Sequence, residues 1–325
     1  MQVQIAEGPA LLTAEQLEAH RPGLTALCYR MLGSVFDSED AVQETLARAW
    51  RARAAFEGRS SLRSWLYRIA TNICLDSLRS QPRRARPVDL GPSSPPELSY
   101  LGEMMTDFPW VQPVPDSLLL TGGEDPAEMV VYRETIRLAF IAAVQQLVPL
   151  QRAVLILHDV LGWRSREIAE LLESSVAAVN SALQRARAKL AAQPALEGKP
   201  ASEADRQLAE RYLRAFEAYD IDALVRLMHD DAIQMMPPFA LWLRGSQDIA
   251  RWMLGPGAEC RGSRMLPTSA NGCPAFGQYR VDPEGGHRPW GLHVLEVTQG
   301  KVAILHVFLG ESIFEAFGLP AHLDS

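Results

Sequence analysis

From residue 12 to about residue 84 apolar side chains recur every three or four positions, and Gly and Pro are few, so this stretch is expected to be helical throughout. Within it, Asp37 or Ser38 suits an N-cap, and Val42, Leu46, Ala49 and Trp50 form the buried stripe of the helix that follows. Asp40, Gln43, Glu44 and Ala47 make a second stripe, polar and exposed. After the loop Phe56–Ser61, a helix is expected from Leu62 to about Arg79, with Leu62, Trp65, Leu66, Ile69 and Ile73 on its core side. Trp65 reads as core, not as a stacking platform. Helical spacing returns over 128–192. There Ser165–Glu173, a turn at Ser174-Ser175 and Val176–Leu190 spell two short helices with a tight turn, a helix-turn-helix. Ser165 and Ser174 or Ser175 suit the N-caps. From about residue 202 the pattern becomes mixed: a helix carrying Leu208, Tyr212 and Phe216, then strand-like runs. Gly291–Val297 and Val302–Leu309 flank Thr298-Gln299-Gly300-Lys301, a hairpin signal.

Breaks in this pattern divide the chain. Between 85 and 127 stand Pro87, Pro92, Pro95, Pro96, Pro109, Pro113, Pro115 and Pro126, which forbid a long helix. This Pro-rich linker includes Phe108-Pro109-Trp110-Val111-Gln112-Pro113, bulky apolar side chains in an extended frame. A short second linker spans 193–203. The expected architecture is multidomain: two all-α domains at 12–84 and 128–192, then an α+β domain at 204–322.

Charge changes the picture by its distribution. The net charge of −7 argues against a nucleic-acid partner, but Arg51 to Arg86 holds nine arginines against Glu57 and Asp76. Just before it, Asp37, Glu39, Asp40 and Glu44 stand without an evident basic neighbour. From Ala204 to Ser325 the balance is 11 basic to 15 acidic residues. No apolar run approaches the roughly 18 residues that span a bilayer, and Met1 to Leu12 does not read as a signal peptide. Cys28, Cys74, Cys260 and Cys273 are scattered, with no metal-ligand spacing, which suits free thiols in a reducing cytoplasm. No cofactor, metal site or catalytic residue is called for, and the expected location is cytoplasmic.

The polar faces carry the chemistry. Arg63, Arg68, Asn72 and Arg79 project from the second helix, and Arg83, Arg84 and Arg86 follow; arginines suit phosphates, and Asn can bond base edges. On the second helix of the helix-turn-helix, Ala177, Asn180, Ser181, Gln184, Arg185 and Ala188 face outward. Small residues permit close approach in a major groove, Asn180 and Gln184 can address adenine, and Arg185 can reach guanine or phosphate. Arg187 and Lys189 suit the backbone. Taken singly, each face is also what an ordinary solvated helix or helical hairpin would show.

Together, the stretches DSEDAVQE (37–44), SLRSWLYRIATNICLDSLR (61–79), RAVLILHDVLGW (from Arg152) and VNSALQRARAKL (ending at Leu190) resemble the extracytoplasmic-function group of the sigma-70 family. The first two resemble region 2 and the last two region 4. The linker stretch DFPWVQPVPDSLL (107–119) and the extra C-terminal domain resemble a subfamily carrying a SnoaL-like domain of the nuclear-transport-factor-2-like fold. The resemblance implies a sigma factor that binds RNA polymerase core enzyme and directs it to promoter DNA. It implies that Asp40, Gln43 and Glu44 meet the polymerase clamp helices. Phe56, Arg59, Ser60 and Ser61, with Arg63, Arg68, Asn72, Arg79, Arg83 and Arg84, would hold the −10 strand. Ala177, Asn180, Ser181, Gln184, Arg185, Arg187 and Lys189 would read the −35 element. One departure is Glu173, at a turn where relatives often have Gly; a left-handed non-Gly residue there costs on the order of 1 kcal/mol.

SnoaL-like folds include small-molecule enzymes, for which His229, Asp230, Asp231, His293 and His306 are the candidates. His293 and His306 are expected to be satisfied core histidines, and Asp230-Asp231 to close a helix and begin a loop. The leading expectation is a regulator whose C-terminal domain modulates the sigma modules, with room for an unknown small-molecule ligand. The alternative is a sigma module fused to a catalytically active SnoaL-like enzyme. A stand-alone helix-turn-helix repressor is disfavoured, since it needs no polymerase-docking stripe. The C-terminal domain is expected to dock through its acidic residues, including Asp205, Glu210, Glu217, Asp220 and Asp222, on the basic DNA-binding parts. The segment around Trp110 is the expected second contact. The direction of the effect on transcription is left open.

Overall fold

The structure, a computed structural model, describes residues 12–58, 60–119, 134–192 and 203–324. Helices α1 (Ala14–Glu18), α2 (Arg21–Leu32), α3 (Val35–Ala52) and α4 (Leu62–Ser80) form an N-terminal bundle. Their boundaries follow local chemistry. Pro22 sits in the first turn of α2, and Gly33 ends it at φ +68°. Ser34 caps α3 by accepting from the Asp37 amide, and Ser61 caps α4 by accepting from that of Ser64. Trp50 departs from the expected buried stripe: it is 42% exposed, and the Arg53 guanidinium lies 3.9 Å from its ring centre.

After the short α5 (Asp116–Leu119), the helix-turn-helix lies in α8 (Ser165–Leu171) and α9 (Val176–Ala191), preceded by α6 (Leu138–Gln145) and α7 (Pro149–Leu155). Ser175 caps α9, as expected, but α8 is capped at Arg164, with Glu167 reaching back to its amide, so Ser165 is already helical. Glu173 adopts φ +50°, the left-handed turn anticipated at that position. This unit does not stand apart from the N-terminal bundle. Leu27, Met31, Val42 and Leu66 share one apolar core with Val144, Val154, Leu157 and Leu183. Arg152 crosses the seam: its buried guanidinium donates to the Met31 carbonyl and to Gln145 Oε1 at 2.6 Å. Burial, with Arg83 nearby, lowers its pKa to about 10.

The C-terminal domain begins with α10 (Glu203–Glu217) and α11 (Ile221–Leu227), which cover a six-stranded mixed sheet. Strands β1 (Met228–Met235), β2 (Trp242–Arg244), β3 (Arg264–Ala270), β4 (Cys273–Val281), β5 (His287–Thr298) and β6 (Lys301–Leu309) are ordered β2-β1-β6-β5-β4-β3. The β1–β6 pair is parallel and the other neighbours are antiparallel. The β5–β6 hairpin turns at Gln299-Gly300, both at positive φ, as that signal requires. Asp230 and Asp231 lie within β1 and not in a loop; a register irregularity between Met228 and Ile233 leaves both carboxylates exposed.

A third apolar cluster joins everything. It takes Ala26, Tyr29 and Val35 from the bundle, Val111 and Val114 from the linker, Ile136 and Ile141 from the entry to the helix-turn-helix, and Leu292, Val294 and Phe308 from the sheet. At its centre is the β3–β4 turn, Asn271-Gly272, whose φ values of +55° and +69° suit a two-residue hairpin. Asn271 is fully buried, and its Nδ2 donates to Tyr29 Oη at 2.7 Å and to the Ile136 carbonyl at 2.5 Å. Its Oδ1 accepts from the Val114 amide at 3.0 Å. Next to it, the Gly272 amide donates to Asp116 Oδ1 at 2.8 Å. The C-terminal domain therefore docks by an apolar face with a polar knot; of the acids expected to carry the contact, Glu217 bonds the Met265 amide and Asp220 caps α11, both within the domain. The acidic helix α10 leaves Glu210 and most of its other charges in solvent. The segment around Trp110 makes the expected contact with the domain through its neighbours Val111 and Val114, and farther back along the linker the Ser94 amide donates to the Trp242 carbonyl and that of Met105 to the Pro238 carbonyl. Trp110 itself buries its ring against Phe108 and donates to the Met105 carbonyl.

Asn271→Ala removes a side chain bonded to three segments and leaves buried partners unsatisfied, an expected cost of about 2–4 kcal/mol to docking. Hydrogen exchange should quicken at Val114 and Asn271, while the β4–β5 amides keep their protection. Uniform loss across the chain, or no change at these amides, contradicts the assignment.

Candidate nucleic-acid interface

The acidic stripe on α3 is outward, as its spacing implies: Asp40 and Gln43 are exposed and Glu44 is half-buried. The carboxylates are not free of basic partners, however. Glu44 accepts from Arg48 Nε at 2.5 Å and lies 3.6 Å from Arg51, one helical turn further on. Asp37 pairs with Arg84 Nη2 at 2.5 Å.

On α4, Arg68, Asn72 and Arg79 recur at four and seven residues and line one exposed face. Arg63 is also exposed, with its guanidinium 5.3 Å from the Tyr67 ring centre. Arg79 pairs with Asp76 at 2.7 Å but remains in solvent. Ser60 is exposed, Ser61 serves as the N-cap, and Phe56 packs on Trp65 with ring centres 5.1 Å apart, holding the loop to the helix. Arg59 lies outside the described residues. Arg83 is exposed and donates to Gln146 Oε1 at 3.0 Å. Arg84 corrects the sequence reading. Its side chain is only 13% exposed, tied to Asp37 and to the Trp110 carbonyl at 2.7 Å, so it anchors the linker and does not present a phosphate-binding group.

The outward face of α9 is assembled as the sequence implies. Ala177, Asn180, Gln184 and Arg185 are exposed and Ser181 is half-buried, while Val179, Leu183 and Ala186 pack inward. Arg185 Nη1 donates to Ser181 Oγ, and Asn180 Oδ1 accepts from Ser165 Oγ at 2.7 Å, which links the two helices of the motif. Arg187 is held by Asp159 and Lys189 by the Gln146 carbonyl. The first helix of the motif leans on the α4 face: Arg68 Nη2 donates to the Glu170 carbonyl at 3.0 Å, and Tyr67 stacks with Trp163 at 5.8 Å.

In the C-terminal domain His293 is saturated. It accepts from Tyr212 Oη through Nδ1 at 2.8 Å and donates through Nε2 to Gln278 Oε1 at 2.9 Å; Gln278 in turn donates to Ser263. Burial lowers its pKa to about 3, which keeps the imidazole neutral. His306 is paired with Glu296 at 2.7 Å in the core beside the linker. Burial would raise the Glu296 pKa, but the His306 bond and the nearby Arg86 and Arg137 charges prevail and lower it. His229 bonds the Thr298 carbonyl. The residues that the sequence reading missed are Asn271 and Gly272; an Asn-Gly pair between Arg264–Ala270 and Cys273–Val281 is itself a strong hairpin signal.

Comparisons with known proteins agree with this arrangement. The family model for sigma-70 region 2 matches residues 17–84, that for sigma-70 region 4 matches 137–190, and that for the SnoaL-like domain matches 209–304. The ECF RNA polymerase sigma factor SigG of Mycobacterium tuberculosis is 44% identical over 315 residues, covering 94% of this chain and 83% of that relative. SigJ of the same species, also an ECF RNA polymerase sigma factor, is 30% identical over 308 residues, covering 90% of each. The crystal structure of SigJ superposes with a TM-score of 0.60 at 25% identity, covering 95% of this chain and all of that one. The chain belongs to the extracytoplasmic-function sigma factors of the sigma-70 family, with a SnoaL-like domain fused at its C-terminus.

The neutral His293 gives a pH signature. With a folded pKa near 3 and an unfolded one near 6.5, the unfolded chain binds more protons between those values. Stability is therefore full above about pH 6.5 and falls as pH drops, by about 2 kcal/mol from pH 7 to pH 5 for this group alone. His293→Gln should flatten that part of the pH dependence of thermal unfolding of the full chain. An unchanged slope contradicts the neutral buried assignment.

Proposed function

We propose that this chain engages RNA polymerase core enzyme and directs it to promoters, and that its C-terminal domain restrains it by holding regions 2 and 4 in one closed unit. The observation that carries the second half is the bonding of Asn271 to Tyr29, Val114 and Ile136, which lie in region 2, the linker and the entry to region 4.

The geometry of a promoter gives closure its meaning. The −10 and −35 elements lie about 25 base pairs apart, roughly 85 Å along the duplex at 3.4 Å per step. A packed unit of about 130 residues has a radius of gyration of roughly 14 Å, or some 35–40 Å across. Regions 2 and 4 in a common core cannot read both elements at once. Promoter engagement requires them to part, and whatever holds them together opposes it.

In this reading Asp40, Gln43 and Glu44 meet core polymerase. Phe56, Ser60, Ser61, Arg63, Arg68, Asn72 and Arg79 handle the −10 strand, with Arg59 and Arg83 supplying further charge. Ala177, Asn180, Ser181, Gln184 and Arg185 read the −35 element, and Arg187 and Lys189 serve the phosphates beside it. The domain boundaries are 12–84, 85–127, 128–192, 193–203 and 204–322. The saturated hydrogen bonds of His293 support a regulatory domain over a catalytic one, since neither of its ring nitrogens is free to serve as a base.

Asp40→Arg with Glu44→Arg should cut assembly with core polymerase at least tenfold in pull-down, because the reversal is solvent-facing and inverts a charge-complementary contact. Native-level capture contradicts the docking role. In multi-round transcription with purified core, Asn271→Ala should raise promoter-dependent product several-fold over the native chain. A fall in product with undiminished core binding contradicts restraint.

A further inference from the structure

The C-terminal domain holds a cavity of about 270 Å³ between the sheet and the helices α10, α11 and Ser246–Leu254, at the small end of ligand-sized sites. Leu224, Met228, Met236, Ile249, Trp252 and Met253 give it an apolar wall with flexible thioethers. Its polar groups are mostly committed. The Tyr212–His293–Gln278 chain closes on itself and on Ser263. The charge of Arg280 is met by Glu259 at 2.5 Å, and its guanidinium lies 4.1 Å from the Trp290 ring centre.

Gln234 is the exception. It lines the cavity, is 3% exposed, and its Oε1 has no hydrogen-bond partner. A buried carboxamide oxygen without a partner has given up its hydration with nothing in exchange, and a donor placed in the cavity would relieve that cost.

One wall of the cavity comes from outside the domain. Leu98, Leu101 and Met104 of the Pro-rich linker border it. This strap is pinned at one end by Trp242 Nε1 donating to the Gly91 carbonyl and by the Ser94 amide donating to Trp242. At the other end the Met105 amide donates to the Pro238 carbonyl. Leu98 and Met104 are otherwise 65% and 53% exposed, large apolar groups that an occupant would cover.

We propose that this cavity binds a neutral, largely apolar small molecule carrying one hydrogen-bond donor, with Gln234 as acceptor and the Leu98–Met104 strap as part of the wall. Neutrality follows from the compensated charge at the rim, and the single donor from the single orphaned acceptor. Because the strap joins regions 2 and 4, occupancy is felt where the closed unit must open. A ligand that fits the strapped arrangement better than the open one favours closure, and one that displaces the strap favours release. Binding to the free chain requires no polymerase, so its failure would leave the promoter reading intact.

The test uses the full chain and N-phenyl-1-naphthylamine, a neutral apolar probe with one N–H, read by its fluorescence. Its hydrocarbon counterpart 1-benzylnaphthalene, with CH₂ in place of N–H, competes for the same space. The amine should bind saturably and be preferred over the hydrocarbon by several-fold, up to about tenfold. Gln234→Leu should erase the preference while the hydrocarbon still binds, and Leu224→Trp should abolish both by filling the space. Hydrogen exchange at Ser94 and Met105 should change on probe addition. No saturable binding, equal affinity for the two probes in the native chain, or a preference that survives Gln234→Leu overturns the site. Unchanged exchange at Ser94 and Met105 overturns the part assigned to the strap.

Discussion

One carboxamide holds the parts of this molecule in register. Asn271 sits at the tip of the β3–β4 hairpin with φ +55°, a conformation Asn tolerates better than most residues. The turn presents its side chain to a space where a helix of region 2, the linker and the entry to region 4 converge. Full burial makes those bonds obligatory, since each partner left without one forfeits its hydration as well. Tyr29 ties the knot further by donating from its hydroxyl to the Gln112 carbonyl at 2.8 Å. Burial raises the pKa of that phenol far above its usual value, so it remains a donor throughout the physiological range.

A second polar knot closes the other side. Arg152 lies in the region 4 stretch RAVLILHDVLGW, yet its two terminal nitrogens donate to the Met31 carbonyl of region 2 and to Gln145 and Leu147. Parting the two regions would strip a buried guanidinium of a partner and expose the apolar seam between Val144, Val154 and Leu27. Core polymerase and promoter phosphates must offset both. Arg68 and Arg83, occupied in the closed unit by the Glu170 carbonyl and the Gln146 side chain of region 4, become available for phosphate when the unit opens. The same side chains then serve two states, which is how a ligand or partner with differential affinity could shift between them.

Much of this was legible in the sequence. Periodicity located the helices at Val35–Ala52 and Leu62–Ser80 and the exposed face of Val176–Ala191, because amphipathic spacing reports which side is buried. The Gln299-Gly300 turn and the satisfied state of His293 also followed from local rules. What depended on tertiary partners was not legible. Arg84 looked like its exposed neighbour Arg83 until the fold set it against Asp37. Trp50 looked like core, but it is exposed and the Arg53 guanidinium covers its ring. Of the acids expected to carry docking, Glu210 and Asp222 stay hydrated in solvent, Glu217 bonds the Met265 amide and Asp220 caps α11, whereas apolar area at the junction contributes in proportion to its burial. The Asn271-Gly272 pair could have been read as a turn, but not as the contact that three segments share.

The central claim is that regions 2 and 4 form one closed unit in the free chain and separate on the promoter. Single-molecule energy transfer between dyes at the exposed positions Ala47 and Ala188 tests it most directly. The free full-length chain should show high transfer, and the complex with core polymerase and promoter should move to a low-transfer state consistent with separation by tens of Å. High transfer persisting in a complex that initiates transcription would contradict the claim.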